Sequence, residues 1–330
     1  MIVLPRRIAN FETSTTLSRP RNSLRNAIVI LGGSYQAGAL MCCEQERTEK
    51  TNFGHLMQDY INERWQPILA YNGLADFDSL WKLEAKWFEE PNQRRGGWSG
   101  VSRCELELPD GGSSAIFLKR QENHGTPSLT HPVRGIPTFL REFKRIINYR
   151  SKGIPTLEPV YFASRMIGKD QRAILITEEL TGFISMEDRV QTWLKEGAPN
   201  RQMRRNILKA VATLLQDMHA HVFRHSCFFP KHVFVRLNED GTVDARVIDL
   251  EKSRWRPLKT LCAMRDLYSL SRFSSCWSAS DRLWFFKQYL DIPRLTPYAK
   301  WLWRSIEKRS IEKNRINPTS PVLSEKSGAE

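Results

Sequence analysis

Two side chains that could bind a metal ion flank a predicted β-hairpin: the imidazole of His232 and the carboxylate of Asp249. Between them, two apolar, β-branched runs typical of strands are separated by Asn-Glu-Asp-Gly at residues 238–241, which favours a turn. Because the first strand of a hairpin starts beside the end of the second, we expect His232 and Asp249 to be neighbours. Such a pair could hold Mg²⁺ and the phosphates that it carries, since hard cations keep positions open for substrate.

A lysine and a glutamate earlier in the chain form a second candidate pair. Lys119 lies near the end of a predicted strand, residues 114–120, and Glu142 lies on or beside the apolar stripe of a predicted helix, residues 137–150. A carboxylate that faces the interior must be paired, and Lys119 is the expected partner; a solvated glutamate at the edge of the stripe is the alternative. Upstream, the glycines of RRGGWSGV (residues 94–101) allow close backbone approach, typically to phosphate, although their order departs from Gly-x-Gly-x-x-Gly.

The composition is that of a globular protein with a basic surplus. The 330 residues suffice for two lobes, and the hydrophobic and charged fractions, 41% and 26%, are ordinary. A net charge of +14 and a pI near 9.7 predict an anionic partner, such as a phosphorylated substrate or an acidic membrane surface. The sequence has no RNA-binding signature or zinc-finger spacing, so we do not expect nucleic acid to be the partner. The six cysteines lack the spacing of a disulfide framework, which predicts reduced thiols in a cytoplasmic protein.

The chain is predicted to be β-rich first and α-rich afterwards, with one embedded hairpin. Residues 1–56 differ in composition from the rest and are expected to be a disordered or non-native extension; a signal-peptide-like segment is the alternative. A helix is expected over residues 81–88, before Pro91. Further strands are predicted near residues 158–163 and 173–178, and further helices over residues 201–222, around 265–267, and over 281–290 and 298–308.

The order of these parts is glycine-rich hairpin, strand lysine, helix glutamate, linker, helix, histidine-containing loop, hairpin and aspartate, which resembles the protein-kinase-like fold. Particular stretches resemble the lipopolysaccharide kinase superfamily of WaaP-like and Kdo kinases, and within it the InaA-like branch. These stretches are RRGGWSGVSR, FLKRQENH, PTFLREF, AILITEEL, CFFPKHVFV and VIDLEKSRW. The resemblance implies an α+β, bilobal protein-kinase-like fold with a β-rich N-lobe (residues 57–182), a mainly helical C-lobe (residues 183–313) and a polar tail (residues 314–330).

The resemblance also implies which residues bind ATP and Mg²⁺. Lys119 resembles the lysine that contacts the α- and β-phosphates, and Glu142 resembles its helix partner. Residues 177–180 resemble the hinge strand whose backbone meets adenine. Asp249 resembles the metal-binding aspartate, and His232 stands where a second metal ligand is usual. The full set implied for the nucleotide is Gly96, Gly97, Gly100, Val101, Lys119, Glu142, Glu178, Glu179 and Leu180, with His232 and Asp249 for the metal.

One position departs from the family pattern. Counting back from His232 by the family's spacing reaches Cys227, where a catalytic aspartate is expected to orient the acceptor hydroxyl and to accept its proton. A thiol with a pKa of about 8.5 is mostly protonated at neutral pH and is a poorer proton acceptor. Asp266 resembles the buried helix aspartate that anchors the backbone of the catalytic loop. The catalytic candidates are Cys227, His225, Lys231 and Asp249.

The implied function is an ATP-dependent kinase that phosphorylates a sugar hydroxyl of the lipopolysaccharide inner core, heptose- or Kdo-like, at a cytoplasmic location. A pseudokinase, which binds nucleotide or a partner without transferring phosphate, is the alternative that Cys227 favours; a protein or small-molecule kinase would share the fold. Peripheral association with the inner face of the inner membrane is a further expectation. Trp81, Trp87 and Trp98 are candidate interfacial residues, against the more common role of tryptophan in a core. The sequence predicts no oligomeric state.

A zinc site is a competing interpretation of the histidine-rich loop. The residues that it would use fall within one short stretch, and His221 and His225 are four residues apart, as helical zinc ligands are. The glutamate of a His-Glu-x-x-His motif is missing, and core or capping roles are expected for His219 and His221. The candidate ligands are His219, His221, His225, Cys227 and His232.

Overall fold

A computed structural model describes residues 59–94, 96–128, 131–272 and 277–316 of the chain. The predicted extension, residues 1–56, lies outside the described residues, and so do the tail beyond residue 316 and the cysteines Cys42, Cys43 and Cys276. The described residues belong to one compact unit.

The N-terminal lobe is built on an antiparallel sheet. Its elements in chain order are β1 (Tyr60–Ile61), α1 (Gln66–Tyr71), α2 (Phe77–Lys82), β2 (Trp87–Arg94), β3 (Gly97–Glu107), β4 (Ser113–Glu122), β5 (Gly125–Ser128), β6 (His131–Pro137), α3 (Thr138–Ser151), β7 (Pro159–Ile167) and β8 (Asp170–Glu178). Among the described strands, the sheet has the order β1-β7-β8-β4-β3-β2, and β5 pairs with β6 in a separate ribbon. Because β4 is paired on both sides, with β3 and with β8, its side chains occupy the middle of the sheet.

Two apolar clusters cover opposite faces of this sheet. Ile174 and Ile176 pack in the cluster that includes residues of α1 and α2, whereas Leu175, between them, packs in the cluster that includes α3. This division follows from the alternation of side chains along a strand. The second cluster continues into the C-terminal lobe, so α3 lies between the sheet and the helices that follow.

Helix α3 has a buried face that explains its position. Phe143, Ile146 and Tyr149 recur at intervals of three residues and are almost fully buried. The Phe143 ring stacks on Phe162 of the sheet, with 4.5 Å between ring centroids. At the other end of the helix, the Tyr149 hydroxyl lies 2.8 Å from the hydroxyl of Ser253 in the C-terminal lobe. The helix is thereby attached to both lobes.

The helix predicted over residues 81–88 is wrong beyond its first two residues. Helix α2 begins with a capping box between Asp76 and Ser79 and ends at Lys82. The segment that follows becomes β2, which pairs with β3 through two irregularities in register. Pro91 is tolerated there because β2 is the edge strand of the described sheet and because Pro91 lies at the irregularity between Glu89 and Asn92, where the ladder is interrupted. Pairing with a distant strand has overridden the local helical pattern.

The C-terminal lobe is mainly helical. Its elements are β9 (Ile184–Ser185), α4 (Met186–Glu196), α5 (Arg201–Ala220), β10 (Phe223–Arg224), β11 (Val233–Leu237), β12 (Val243–Val247), β13 (Arg254–Trp255), α6 (Lys259–Arg272), α7 (Ala279–Leu290) and α8 (Pro297–Ile316). In the described part of the chain the strands form a small sheet of order β12-β11-β9 and a β10–β13 pair. The buried faces of α5, α6 and α7 supply most of the large apolar cluster of this lobe.

The prediction of an α+β protein with a β-rich lobe followed by a mainly helical lobe is confirmed. The exact lobe boundaries, near residues 57, 182 and 313, stay a prediction. Within the described ranges, no helix combines the length and the apolar character that a membrane crossing requires.

Candidate active site

A cleft of about 900 Å³ lies between the two lobes. Its walls come from the N-terminal sheet, from α3, from the segment between β8 and α4, and from the β11–β12 hairpin. Lining residues among the predicted candidates are Gly100, Val101, Lys119, Glu142, Glu178, Glu179, Leu180, Lys231, His232 and Asp249. Gly96, Gly97, His225 and Cys227 are not among the lining residues.

The predicted ion pair between Lys119 and Glu142 is present. Lys119 stands on the central strand β4, opposite Val101 of β3 and Leu175 of β8. Its Nζ lies 2.7 Å from Oε1 of Glu142, and the two side chains are only 16% and 5% exposed. Burial raises the pKa of Glu142 above its ordinary value, and the attraction of Lys119 opposes this shift. The pair is therefore held inside the cleft, not at a solvated rim.

The hairpin brings His232 and Asp249 together, as its register requires. Val233 pairs with Val247 at the open end of the β11–β12 ladder, and Nε2 of His232 lies 3.4 Å from Oδ2 of Asp249. Nδ1 of His232 lies 2.9 Å from the carbonyl oxygen of Cys227 and must donate to it, because a carbonyl only accepts. Burial lowers the pKa of His232 although Asp249 opposes the shift, so the neutral ring turns the lone pair of Nε2 towards the carboxylate.

The Nε2 lone pair of His232 and the carboxylate of Asp249 are both hydrogen-bond acceptors. Two acceptors that face each other are stabilised by a cation between them. Asp249 also has a left-handed backbone conformation, with φ of 59°, which is uncommon for a residue other than glycine. Such strain is concentrated at functional sites, where surrounding contacts maintain it. The carboxylate of Asp249 and the imidazole of His232 are the residues of this cleft best suited to hold a divalent metal ion.

A buried aspartate fixes the loop that precedes the hairpin. Asp266 on α6 accepts hydrogen bonds from the backbone amides of His225 and Ser226, at 2.7 and 2.8 Å. His219 lies 3.2 Å from the same carboxylate through Nε2, and its Nδ1 lies 2.8 Å from the hydroxyl of Tyr289. These bonds stabilise the positive φ of 72° at Ser226. The expectation that Asp266 anchors the loop backbone is confirmed, and His219 and Tyr289 in turn position Asp266.

The other predicted catalytic residues of this loop differ in accessibility. Burial raises the pKa of the half-buried Cys227 thiol, with Asp249 adding to the shift and Lys252 opposing it, so the thiol stays protonated at neutral pH. His225 is fully buried: Nε2 donates to the Ile248 carbonyl at 2.9 Å, and Nδ1 accepts from the Cys227 amide at 3.3 Å. Lys231 is exposed at the edge of the cleft.

The glycines upstream of Lys119 have packing reasons of their own. A Cβ on Gly97 would lie 2.0 Å from the carbonyl oxygen of Glu122, and a Cβ on Gly100 would lie 2.6 Å from the Trp87 ring. Gly96 has a φ of 78°, which favours glycine at the turn between β2 and β3. The structure therefore explains these glycines without a bound phosphate, and their role towards a nucleotide stays a prediction.

The carboxylates of the hinge segment are paired with arginines, so backbone atoms are the groups of this segment that could meet a ligand. Glu179 forms two hydrogen bonds with the guanidinium of Arg103, at 2.7 and 2.8 Å, and this partner lowers the pKa of Glu179. Glu178 forms an ion pair with Arg64. The amide of Glu179 donates to Ala115, whereas that of Leu180 has no backbone acceptor in the described part of the chain.

The zinc interpretation finds no support in the described residues, which contain no group of three or more potential metal-binding side chains. His219 is a buried core residue, as expected, and His221 lies at the C-terminal end of α5 with Nδ1 2.9 Å from the Asp217 carbonyl. His225 is outside that helix, so its spacing from His221 does not place the two on one helical face.

The three candidate tryptophans of the N-terminal lobe contact one another. The ring centroids of Trp81 and Trp98 are 5.7 Å apart, and those of Trp87 and Trp98 are 6.0 Å apart. The guanidinium groups of Arg120 and Arg172 lie 4.9 and 4.7 Å from the Trp87 and Trp81 rings, respectively. All three rings are half-buried by these contacts, so they pack mainly within the lobe.

Five acidic residues of the cleft were missed by sequence reasoning, including Glu89 and Glu90 of β2. Glu187 and Asp188 line it from the first turn of α4, and Glu251 lines it two residues after Asp249. Ser185 caps α4 by accepting from the Asp188 amide at 3.0 Å, so the pattern Ser-x-x-Asp could have predicted this helix start. Glu251 lies 4.0 Å from Arg141 and contributes to the raised pKa of Glu142.

Comparison with known proteins places the chain in a family. Residues 78–289 match the lipopolysaccharide kinase (Kdo/WaaP) family. Protein InaA of Escherichia coli K12 is 32% identical over 201 residues, which cover 60% of this chain and 88% of that protein. Lipopolysaccharide core heptose(I) kinase WaaP of Escherichia coli is 32% identical over 199 residues, which cover 56% of this chain and 69% of that protein. The WaaP of Pseudomonas aeruginosa is 25% identical over 267 residues, which cover 74% of this chain and 94% of that protein.

A solved structure supports the same assignment at the level of the fold. WaaP in complex with acyl carrier protein is 20% identical to this chain, with a TM-score of 0.57 over 78% of this chain and 99% of that one. The protein-kinase-like fold expected from the sequence is thereby confirmed. The family match extends over most of both described lobes and agrees with the resemblance found in the sequence. The chain therefore belongs to the lipopolysaccharide kinase (Kdo/WaaP) family, a family of phosphotransferases.

Proposed function

We propose that this protein is an ATP-dependent kinase that phosphorylates a sugar hydroxyl of the lipopolysaccharide core. The observation that carries the proposal is the convergence of two pairs in one cleft: the buried Lys119–Glu142 ion pair and the His232–Asp249 pair. The first provides a fixed cation for the phosphates of a nucleotide, and the second provides ligands for the metal ion that accompanies them.

Each part of a nucleotide has a matching group in the cleft. The Nζ of Lys119, fixed by Glu142, would meet the phosphates, and the Leu180 amide with the neighbouring hinge backbone would meet the adenine edge. The Nε2 of His232 and the carboxylate of Asp249 would hold Mg²⁺, which would neutralise negative charge on the transferring phosphate. Lys231 at the cleft edge adds a further cation near these ligands.

The absence of a carboxylate at position 227 bears on the rate of transfer. Phosphoryl transfer passes through a loose transition state, so positioning and electrostatics supply most of the catalysis. The Cys227 thiol, with its raised pKa, is a poor proton acceptor, and both ring nitrogens of His225 are occupied. We therefore expect weak but measurable transfer. The same observation favours the second candidate function, a pseudokinase that binds nucleotide without transferring phosphate.

The proposed acceptor follows from the net charge of this protein and from the names of its relatives. Two of the similar proteins are lipopolysaccharide core heptose(I) kinases by name, and the net charge of +14 suits an acceptor that carries anionic groups. A heptose or Kdo-like sugar of the inner core meets both conditions. The oligomeric state has no bearing on this proposal.

The decisive experiment is a transfer assay with purified protein, Mg-ATP and deacylated lipopolysaccharide core. We expect the core saccharide to gain the mass of one phosphate group, and we expect the Asp249→Asn variant to leave it unchanged. Binding of Mg-ATP without transfer to any core saccharide would select the pseudokinase. Failure of the wild-type protein to bind nucleotide at all would contradict both functions.

An exposed apolar surface supports the proposal of peripheral membrane association. Leu258, Leu261, Tyr298 and Trp301 are each 40–49% exposed, and Lys259 lies beside them in the chain. Helices α6 and α8 are in contact beside these residues, since the hydroxyls of Thr260 and Tyr298 lie 3.1 Å apart. Aromatic and basic side chains together favour an anionic bilayer surface. Flotation with anionic vesicles should carry the wild type and leave Trp301→Ser behind; equal flotation would contradict this role.

A further inference from the structure

Four arginines lie near Ser226 of the loop that Asp266 anchors, and two of them, Arg224 and Arg265, contact it. Strands β10 and β13 pair so that Arg224 stands directly opposite Arg254. The Nε of Arg224 donates to the Ser226 hydroxyl at 3.1 Å, and the Nε of Arg265 donates to the Ser226 carbonyl at 3.3 Å. Arg256 follows β13, and its amide donates to the carbonyl oxygen of Val222, the residue before β10. The four arginines thus come from three separate segments of the lobe.

This arrangement is electrostatically unfavourable in the free protein. Like charges directly opposite on paired strands destabilise the pair. Partial burial, Arg256 and Arg265 together lower the pKa of Arg224. Within the described residues, none of the four arginines forms an ion pair with a carboxylate. The one carboxylate that attracts Arg224, Asp266, is buried and already accepts bonds from His225, Ser226 and His219.

The cluster is distinct from the nucleotide cleft but adjoins the loop that faces it. None of its members is among the cleft-lining residues. Arg265, together with Lys252, nevertheless acts electrostatically on the Cys227 thiol, one residue after Ser226. An anion seated on the arginines would therefore lie beside the position expected to orient an acceptor hydroxyl, while the nucleotide phosphates would lie with Lys119 and Asp249.

We infer that Arg224, Arg254, Arg256 and Arg265 bind a phosphate or carboxylate group carried by the acceptor saccharide, and so position the hydroxyl that receives phosphate. This inference deepens the proposed function and rests on it. Guanidinium groups are suited to the role because their planar fork forms two parallel hydrogen bonds with such groups. A bound anion would also relieve the repulsion between the arginines, and this relief would contribute to the affinity of the site for the anion. The site would need no contact with the nucleotide.

The test compares binding of three probes to the complete protein by calorimetry: a phosphorylated deacylated core oligosaccharide, the same saccharide after phosphatase treatment, and inorganic phosphate. The variant is the double substitution Arg224→Gln with Arg256→Gln. The matched control is Arg304→Gln, which removes a charge from an exposed position of α8. Melting temperature and Mg-ATP affinity are measured for each protein.

We expect the double variant to bind the phosphorylated saccharide at least about tenfold more weakly, equivalent to about 1.4 kcal/mol. Its melting temperature should be unchanged or raised, because like-charge repulsion is removed, and its affinity for Mg-ATP should be unchanged. The control should resemble the wild type. A structural role for the arginines would instead lower the melting temperature and leave saccharide affinity intact.

Two outcomes would overturn the inference. One is equal affinity of wild type and double variant for the phosphorylated saccharide. The other is a wild type that binds inorganic phosphate as tightly as the saccharide, since the ligand would then be a free anion. If the wild type binds the saccharide through the arginines but transfers no phosphate to it, the proposed kinase activity fails while the anion site stands.

Discussion

Removing one partner of the Lys119–Glu142 pair should destabilise the protein more than removing both. The two side chains are 16% and 5% exposed, and their charged atoms are 2.7 Å apart. Loss of one partner of a buried ion pair costs about 3–5 kcal/mol, because the other charge is left uncompensated, whereas apolar replacement of both is often neutral. We expect Lys119→Met and Glu142→Leu each to lower the free energy of unfolding by about 3 kcal/mol, and the double variant by less than about 1 kcal/mol.

Stability should also become more dependent on pH in Lys119→Met. Burial raises the pKa of Glu142 while Lys119 opposes the shift, so loss of Lys119 should raise this pKa further. A carboxyl group whose folded-state pKa exceeds the unfolded value of about 4.3 stabilises the fold fully below that value. Its contribution is lost as pH rises through the folded-state pKa. The destabilisation by Lys119→Met should therefore be larger at pH 8 than at pH 5, and Glu142→Leu should not show this increase.

Urea denaturation of the four proteins at both pH values measures the coupling, and thermal unfolding with Mg-ATP measures nucleotide binding. The double variant should lose less than about 1 kcal/mol of stability yet gain none from Mg-ATP, because Lys119 is missing. Additive effects, with a coupling below about 0.5 kcal/mol, would refute the reasoning from burial. Full Mg-ATP stabilisation of the double variant would refute the role of Lys119 towards phosphate.

Four further predictions concern the metal ligand Asp249, the loop cysteine Cys227, for which there are two, and Gly97 of β3. Asp249→Asn should lose most of the stabilisation by Mg-ATP, about 2.7 kcal/mol at 100 times Kd, whereas His221→Ala, outside the cleft, should keep it in thermal unfolding. Cys227→Asp should preserve or raise turnover and Cys227→Ala should lower it by at most about ten- to a hundredfold in the transfer assay. Because burial raises its pKa, Cys227 should react with iodoacetamide more slowly at pH 8 than a free thiol does, as followed by mass spectrometry. Gly97→Ala should destabilise the protein by about 3 kcal/mol in urea, since the added Cβ would lie 2.0 Å from the Glu122 carbonyl; an unchanged midpoint would contradict the close packing.

The contacts of His232 with Asp249 and of Lys119 with Glu142 could be predicted, because short-range rules determine them. Hairpin register alone makes His232 and Asp249 neighbours, since Asp249 follows the strand that pairs with the strand after His232. The apolar stripe of α3 turns Glu142 inward, and an inward carboxylate needs a cation. The prediction of a helix at residues 81–88 was wrong because a long-range interaction determines the structure there. The pairing of β2 with β3 cannot be inferred from local propensity.

The sequence by itself determined the two-lobe order of elements, the family, and which residue types stand at the candidate nucleotide and metal positions. Only the tertiary structure decided what each of them contacts: the lone pair of His232 faces Asp249, both nitrogens of His225 are occupied, and Gly97 and Gly100 make room for packing. It alone assembled the arginines around Ser226, from segments that are far apart in the chain. The physical reason is that periodicity and spacing act over a few residues, whereas burial, hydrogen-bond partners and local charge depend on which distant segments pack together.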